Sequence, residues 1–379
     1  MRERAVGGID NRHGLVAAGV GAGLGMLGAG ALGIGRHYAT VLLDPARVVA
    51  YPERVLHADP AGVTLATSRL VRQPGVWGLR WDQGLAVMGP ILREDRRGVH
   101  RALLEGPVPP EGPAVIDAGP FDPDPGARGL PFTEVDLPTP LGPAPAWHVP
   151  GDRDTWVIAV HGRGGRRREA LRVLPALHRL GLPVLVISYR NDDEAPASPD
   201  GHFHLGDSEW EDMEAAVRWA QEHGARRIVV AAWSMGAAIT GAFLDRSAAA
   251  GLVVAQVWDA PLVDWRATLR RQARNRLLPP QLVPIATVSA RRRIGIDFDD
   301  FDLRRHPPAH RPPTLIVHST PDTAVPIGPT RALAAAGSEL GWPIKLVEVA
   351  GVEHTASWNA DPEYYEHLVT TFLEDTVPR

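Results

Sequence analysis

The chain has 379 residues, 44% hydrophobic and 22% charged, a composition that excludes a disordered, fibrous or collagen-like protein. Its formal net charge of −4 gives no electrostatic footprint for nucleic acid. Cysteine is absent, which excludes disulfides, thiolate metal sites and a cysteine nucleophile. The single lysine, Lys345, lies in a strand-like run without Schiff-base or P-loop surroundings.

Residues Gly14 to Gly35 form an uncharged run of 22. As a helix it would span about 33 Å, enough for a hydrocarbon core of about 30 Å. A single membrane anchor is expected over 1–36. The alternative is a signal peptide cleaved near the small residues Ala29, Gly30 and Ala31. Arg2, Arg4 and Arg12 precede the run and Arg36 and Arg47 follow it. This bias places the N-terminus inside and the bulk of the chain outside. Gly23-x-Gly25-x-x-Gly28 fits a dinucleotide fingerprint by spacing, but no strand precedes it and no second strand follows on schedule.

Residues 37–150 are rich in proline and glycine, with short β-like runs at Val63–Thr67, Gly75–Trp81 and Ala114–Asp117. They read as a β-type N-terminal region, and Gly119–Gly129 as an irregular connector. From 151 to 379 the pattern changes. Apolar runs at Thr155–Val160, Pro183–Ser188, Arg227–Ala232, Leu252–Trp258, Thr314–His318 and Ile344–Val349 alternate with helical segments near 167–180, 208–223, 235–248, 329–340 and 361–375. Such alternation predicts a mostly parallel sheet covered by helices on both faces, with its ligands at the carboxyl ends of the strands.

The chemistry-bearing residues fall at those ends. Ala232-Trp233-Ser234-Met235-Gly236 follows a buried strand and opens a helix, the context of a nucleophile elbow, with Ala232 where glycine is usual. The first strong strand ends in His161-Gly162-Arg163-Gly164-Gly165. A turn there supplies a backbone N–H to an oxyanion beside the N–H after the nucleophile, so Arg163 and Met235 are the expected donors. A serine nucleophile needs a base, and the base an orienting acid. Asp322 follows one strand and His354 the last, giving the order Ser…Asp…His. Asp259, at the end of the strand after the nucleophile helix, is an alternative acid or a pocket residue. His161, Gly162, Trp233, Tyr189, Asp259 and Trp265 are candidate substrate-binding residues, with His161 and Tyr189 also candidates to brace the oxyanion loop. His202, His204 and Asp207 read as a polar loop, and no metal site is expected. An insertion at about 262–312 reads as a helical cap, with Trp265, Leu269, Leu277, Leu278, Leu282, Ile285, Ile294, Ile296 and Phe298 as an apolar wall or as packing onto the sheet. Its arginines, among them Arg270 and Arg274, read as a solvated face.

HGRGG, AWSMG, STPDTAVP and GVEHT, in that order over roughly residues 140–379, resemble the α/β-hydrolase superfamily. The resemblance is to bacterial membrane-anchored serine hydrolases of the prolyl-oligopeptidase/serine-aminopeptidase-like branch. It implies an α/β-hydrolase fold with Ser234 as nucleophile, His354 as base and Asp322 as acid, without metal or organic cofactor. Ser319 stands where many relatives have glycine. The expected activity is hydrolysis of a small-molecule carboxylic ester through an acyl-enzyme, by an esterase or lipase-like protein. The alternatives are a serine peptidase acting on short peptides and a non-catalytic, membrane-tethered binding protein.

Overall fold

A computed structural model describes residues 33, 36–45, 51–119, 122–277, 279 and 282–378. The apolar run at 14–35, apart from Gly33, lies outside the described residues. Among the described residues no helix is long and apolar enough to cross a membrane.

Residues 36–43 are helical and form α1. Two β units follow. In the first, six strands close into a barrel in the order β1-β2-β5-β4-β3-β6. They are β1 (Glu53–Asp59), β2 (Gly62–Leu65), β3 (Trp77–Trp81), β4 (Gly84–Asp95), β5 (Gly98–Glu105) and β6 (Gly112–Asp117). Val55, Val63, Leu65, Trp77, Leu79 and Met88 fill the interior. Closure pairs β1 with β6 and leaves no open edge.

The second unit is an eight-stranded sheet, ordered β14-β13-β12-β11-β9-β10-β8-β7. Its strands are β7 (Thr133–Thr139), β8 (Gly142–Val149), β9 (Thr155–Val160), β10 (Val184–Ile187), β11 (Arg227–Trp233), β12 (Val253–Asp259), β13 (Thr314–Ser319) and β14 (Ile344–Val349). Strands β9 to β14 are parallel, and β8 runs antiparallel to β10 and β7. All six residues of β9 are buried, as two-faced cover requires. Trp156, Ile158 and Val160 face one core, with α3 (Trp210–Glu222) and α4 (Met235–Arg246). Val157 and Ala159 face the other, with α2 (Leu174–Arg179) and α9 (Pro362–Thr376). At the edge, β14 exposes Lys345 and Glu348, charges that discourage further pairing.

A boundary at residue 150 would cut this sheet between β8 and β9; the sheet begins at Thr133, and the barrel occupies only 53–117. The helix α1 belongs to neither stretch of β structure. Its Ala39 and Leu43 are buried in the core of the eight-stranded sheet, and Leu43 O accepts from Phe203 N–H at 2.9 Å. The cap contains α5 (Trp265–Asn275) and α6 (Leu282–Ile294). After β13 come α7 (Ile327–Ala336) and, past β14, the short α8 (Ser357–Ala360).

Candidate active site

Ser234 stands between β11 and α4 with φ 51° and ψ −115°. A non-glycine residue holds this left-handed backbone only when its surroundings enforce it. Here Ser234 N–H donates to Asp259 O at 3.0 Å, and Ser234 O accepts from Leu262 N–H at 3.0 Å. A Cβ on Gly236 would lie 2.2 Å from Val160 O, so α4 can pass the end of β9 only with glycine there. Ala232 is accommodated, buried in the core at 1% exposure.

Ser234 Oγ lies 2.8 Å from His354 Nε2. His354 Nδ1 lies 2.7 Å from Asp322 Oδ2. The other Asp322 oxygen accepts from the N–H groups of Ala324 and Val325 at 2.8 and 2.9 Å. Beneath it, wholly buried His318 places Nε2 3.3 Å from Asp322 Oδ2 and Nδ1 3.0 Å from Thr330 Oγ1. Burial alone would raise the Asp322 pKa. The His354 charge, with hydrogen bonds from His318 and His354, outweighs it and holds the carboxyl well below the usual range. For His354, burial opposes charging, but Asp322 prevails by charge and hydrogen bond and raises the imidazole above its ordinary value.

The 161–165 turn after β9 is braced from below. Gly162 N–H donates to Glu169 Oε2 at 2.8 Å, and Gly165 N–H to Gly162 O at 2.8 Å. Tyr189 donates its hydroxyl to His161 O and Gly162 O at 3.2 and 3.0 Å. The His161 ring stacks on Tyr189 with centroids 4.3 Å apart, and its Nε2 lies 2.8 Å from Asp192 Oδ2. A Cβ on Gly162 would lie 3.0 Å from Ser234 Cβ, which shows how closely the turn approaches the serine. Met235 supplies the first N–H of α4, which has no carbonyl partner inside the helix.

A cavity of about 240 Å³ opens above the serine, with Ser234, His354, Arg163 and Met235 at its floor. The cap lines it through Trp265, Leu269, Leu282 and Val283, and α1 through Tyr38, Val41 and Leu42. Five candidate pocket residues stand elsewhere. His161, Gly162 and Tyr189 are bracing groups. Trp233 is 2% exposed and points into the core shared with α2 and α9, because its side chain falls on the opposite face of β11 from Ala232. Asp259 is 1% exposed, accepts from Ser357 Oγ at 3.2 Å, and is pushed up to about 6 by burial. It is not the partner of His354. Among the proposed cap residues, Ile294, Ile296 and Phe298 pack the cap onto the core, Leu277 is 93% exposed, and Leu278 lies outside the described residues.

Several residues escaped the sequence reading: Glu169, His318 and the α1 wall. His318 carried a signal, as a polar residue directly after the apolar Leu315–Val317 stretch of β13. Glu353, beside His354, makes a structural contact: its carboxylate accepts from Thr323 N–H and Oγ1 at 3.1 and 2.8 Å. In the 202–207 loop, His204 pairs with Asp200 at 3.0 Å. Among the described residues no group of three potential metal ligands is gathered.

Comparison with known proteins agrees with this architecture. The prolyl oligopeptidase family matches residues 197–377. A domain of unknown function (DUF8805) matches residues 54–116 and so coincides with the barrel. No curated protein matches. An esterase from Pyrococcus furiosus superposes with a TM-score of 0.55 at 20% identity, over 68% of this chain and 95% of that one. A second crystal form of the P. furiosus esterase gives 0.54 at 20% identity, over 69% and 97%. At this identity the likeness speaks to fold. The strand order, the elbow and the family match over 197–377 are those of the α/β-hydrolase fold and are consistent with a serine hydrolase of that superfamily.

Proposed function

We propose that this protein is a serine carboxylic-ester hydrolase acting on small-molecule esters with apolar acyl chains. The observation that carries the reading is the unbroken chain of hydrogen-bond distances Ser234–His354–Asp322, 2.8 and 2.7 Å, on the floor of an apolar cavity.

His354 Nε2 takes the Ser234 proton as Oγ attacks the ester carbonyl. Asp322 fixes the imidazole tautomer and stabilises the imidazolium that forms. The N–H groups of Met235 and Arg163 receive the tetrahedral oxyanion; one such donor typically contributes roughly 10²–10³ in kcat. His354 then gives its proton to the leaving alkoxide, and water releases the acyl group by the same steps in reverse. The cavity of about 240 Å³, at the small end of ligand sites, suits short to medium acyl chains.

A serine peptidase is the second reading, favoured by the prolyl oligopeptidase family match over 197–377. The triad chemistry would be the same, and the leaving group an amine. For placement, the uncharged run at 14–35 supports a tether with the hydrolase domain outside the membrane. Cleavage near Ala31 is the alternative, and N-terminal sequencing of the mature protein separates the two.

The test pairs the full chain with Ser234→Ala on p-nitrophenyl esters from acetate to palmitate, and on aminoacyl p-nitroanilides. Ester hydrolysis and fluorophosphonate labelling that both vanish in the variant support the reading. Anilide turnover without ester turnover moves it to a peptidase. Equal background in two folded proteins removes both.

A further inference from the structure

The barrel and the loop carrying His354 share a core. Val352 and Ala356, each two residues from His354, are fully buried and belong to the same hydrophobic cluster as Val55, Trp77 and Met88. Contact is made by the barrel's β2–β3 connection, residues 66–76. Arg69 Nη2 donates to Pro321 O at 3.0 Å and lies 2.5 Å from Glu353 Oε1. The second Glu353 oxygen holds Thr323 through its N–H and hydroxyl. One ion pair thus joins the residue before Asp322, the residue after it and the residue before His354. Beside it, Gln73 Oε1 accepts Glu353 N–H at 2.6 Å.

The connection is itself held. Arg101, wholly buried on β5, donates to Val71 O, Gln73 O and Gly75 O at 2.9, 2.6 and 2.7 Å. At the end of the connection, Val76 N–H donates to Asn359 O, and Asn359 Nδ2 to Val76 O, both at 2.8 Å. A Cβ on Gly75, at φ +84°, would lie 1.9 Å from Asn359 O, so the strap and α8 meet backbone to backbone.

We propose that the barrel is a positioning domain: through Arg69 and Gln73 its β2–β3 connection sets the placement of His354 relative to Asp322. The inference rests on the reading of that pair given under Proposed function. Arg69 and Gln73 touch no reacting atom; they act through Glu353. The acid and histidine loops leave separate strands, β13 and β14, and a carboxylate shared between them fixes their spacing. The Arg69 side chain is 60% exposed, where an ion pair contributes little to folding stability, so its loss should register in rate and not in fold.

The experiment compares the full chain with Arg69→Ala, Arg69→Lys and Gln73→Ala. It reads kcat and KM on a p-nitrophenyl ester, the thermal midpoint, and the downfield proton resonance of His354 Nδ1–H. A misplacement of about 1 Å costs roughly a hundredfold in rate. Arg69→Ala is therefore expected to lower kcat roughly ten- to a hundredfold, with KM within about twofold, the thermal midpoint nearly unchanged and the resonance shifted or broadened. Arg69→Lys restores most of kcat. Wild-type kcat and an unmoved resonance in folded Arg69→Ala overturn the proposal. If Gln73→Ala does not fold, the two Arg69 variants decide. If the wild type neither turns over esters nor labels at Ser234, the proposed reaction fails; the resonance needs no substrate and still decides the positioning.

Discussion

The Ser234 side of the site is braced from within the eight-stranded domain, whereas the Asp322 and His354 loops also lean on a separate barrel. Around Ser234 the supports are close in sequence or in adjacent strands: Asp259 O, Leu262 N–H, and Glu169 under Gly162. Around His354 the supports include Arg69 and Gln73, about 280 residues away, beside Ser319 Oγ, which donates to Val352 O, and Arg172, which donates to Thr355 O. The comparison teaches a division of labour. The elbow stores backbone strain at φ 51°, and tight local packing is what can enforce strain. The acid and histidine loops leave different strands, and Thr355 beside His354 holds a positive φ of 51° as well; part of what holds them comes from the barrel.

The largest effect that would probe this division is on the Asp322–His354 pair. Asp322→Asn should lower kcat/KM roughly 10⁴-fold near neutrality, as loss of the tautomer-fixing acid does elsewhere. It also carries a pH signature. His354 must be neutral to accept the serine proton, so activity falls as pH drops through its pKa. Asp322 holds that pKa above its ordinary value of about 6.5, and the acidic limb of the wild-type profile should lie above it. In Asp322→Asn the limb should move to lower pH; a limb that stays put would dissociate Asp322 from His354. Stopped-flow or steady-state rates from pH 5 to 9 read both.

A smaller effect belongs to the internally braced half. Glu169→Ala leaves Gly162 N–H without its acceptor, an unmet bond costing about 1–3 kcal/mol. It should lower kcat about tenfold while leaving the His354 Nδ1–H resonance in place. Movement of that resonance would show the two halves to be one mechanical unit. The smallest effect concerns the wall. Leu42→Trp should cut turnover of long-chain p-nitrophenyl esters about tenfold and spare the acetate, since a methylene-scale change in an apolar pocket is worth about 1–3 kcal/mol. Uniform loss across chain lengths would remove α1 from the acyl pocket.

Much of this was legible in the sequence, for local reasons. The strands β9, β11 and β13 announce themselves as continuous apolar runs, and Ser234, Asp322 and His354 each stand just past such a run. Small residues at 232 and 236 mark the elbow without any need of long-range information. The barrel was legible only as β-rich. Its closure depends on β1 meeting β6, a pairing no local pattern encodes. Strands β7 and β8 were not among the β-like runs recognised in 37–150, and both carry proline, Pro138 in β7 and Pro143 and Pro145 in β8; edge strand β7 tolerates one. The contacts of Glu353 were hidden for a different reason. Its partners Arg69 and Gln73 look like ordinary surface residues until the barrel brings them to the histidine loop. Trp233 and Asp259 misled as pocket residues because adjacency to Ser234 in chain or sheet does not fix which face a strand side chain takes.

The wall contributed by α1 ties the pocket to the fate of the chain ahead of it. Tyr38, Val41 and Leu42 all follow Ala31, so a cut there frees a protein that carries its acyl wall away intact. An uncut chain keeps the same wall within about 9 Å of helix from Arg36, at 1.5 Å per residue, directly after the apolar run in sequence. A trimming past Leu42, eleven residues further along, would have the opposite result. It would leave the triad whole and strip one side from the cavity, producing a hydrolase with an unchanged serine and a different appetite.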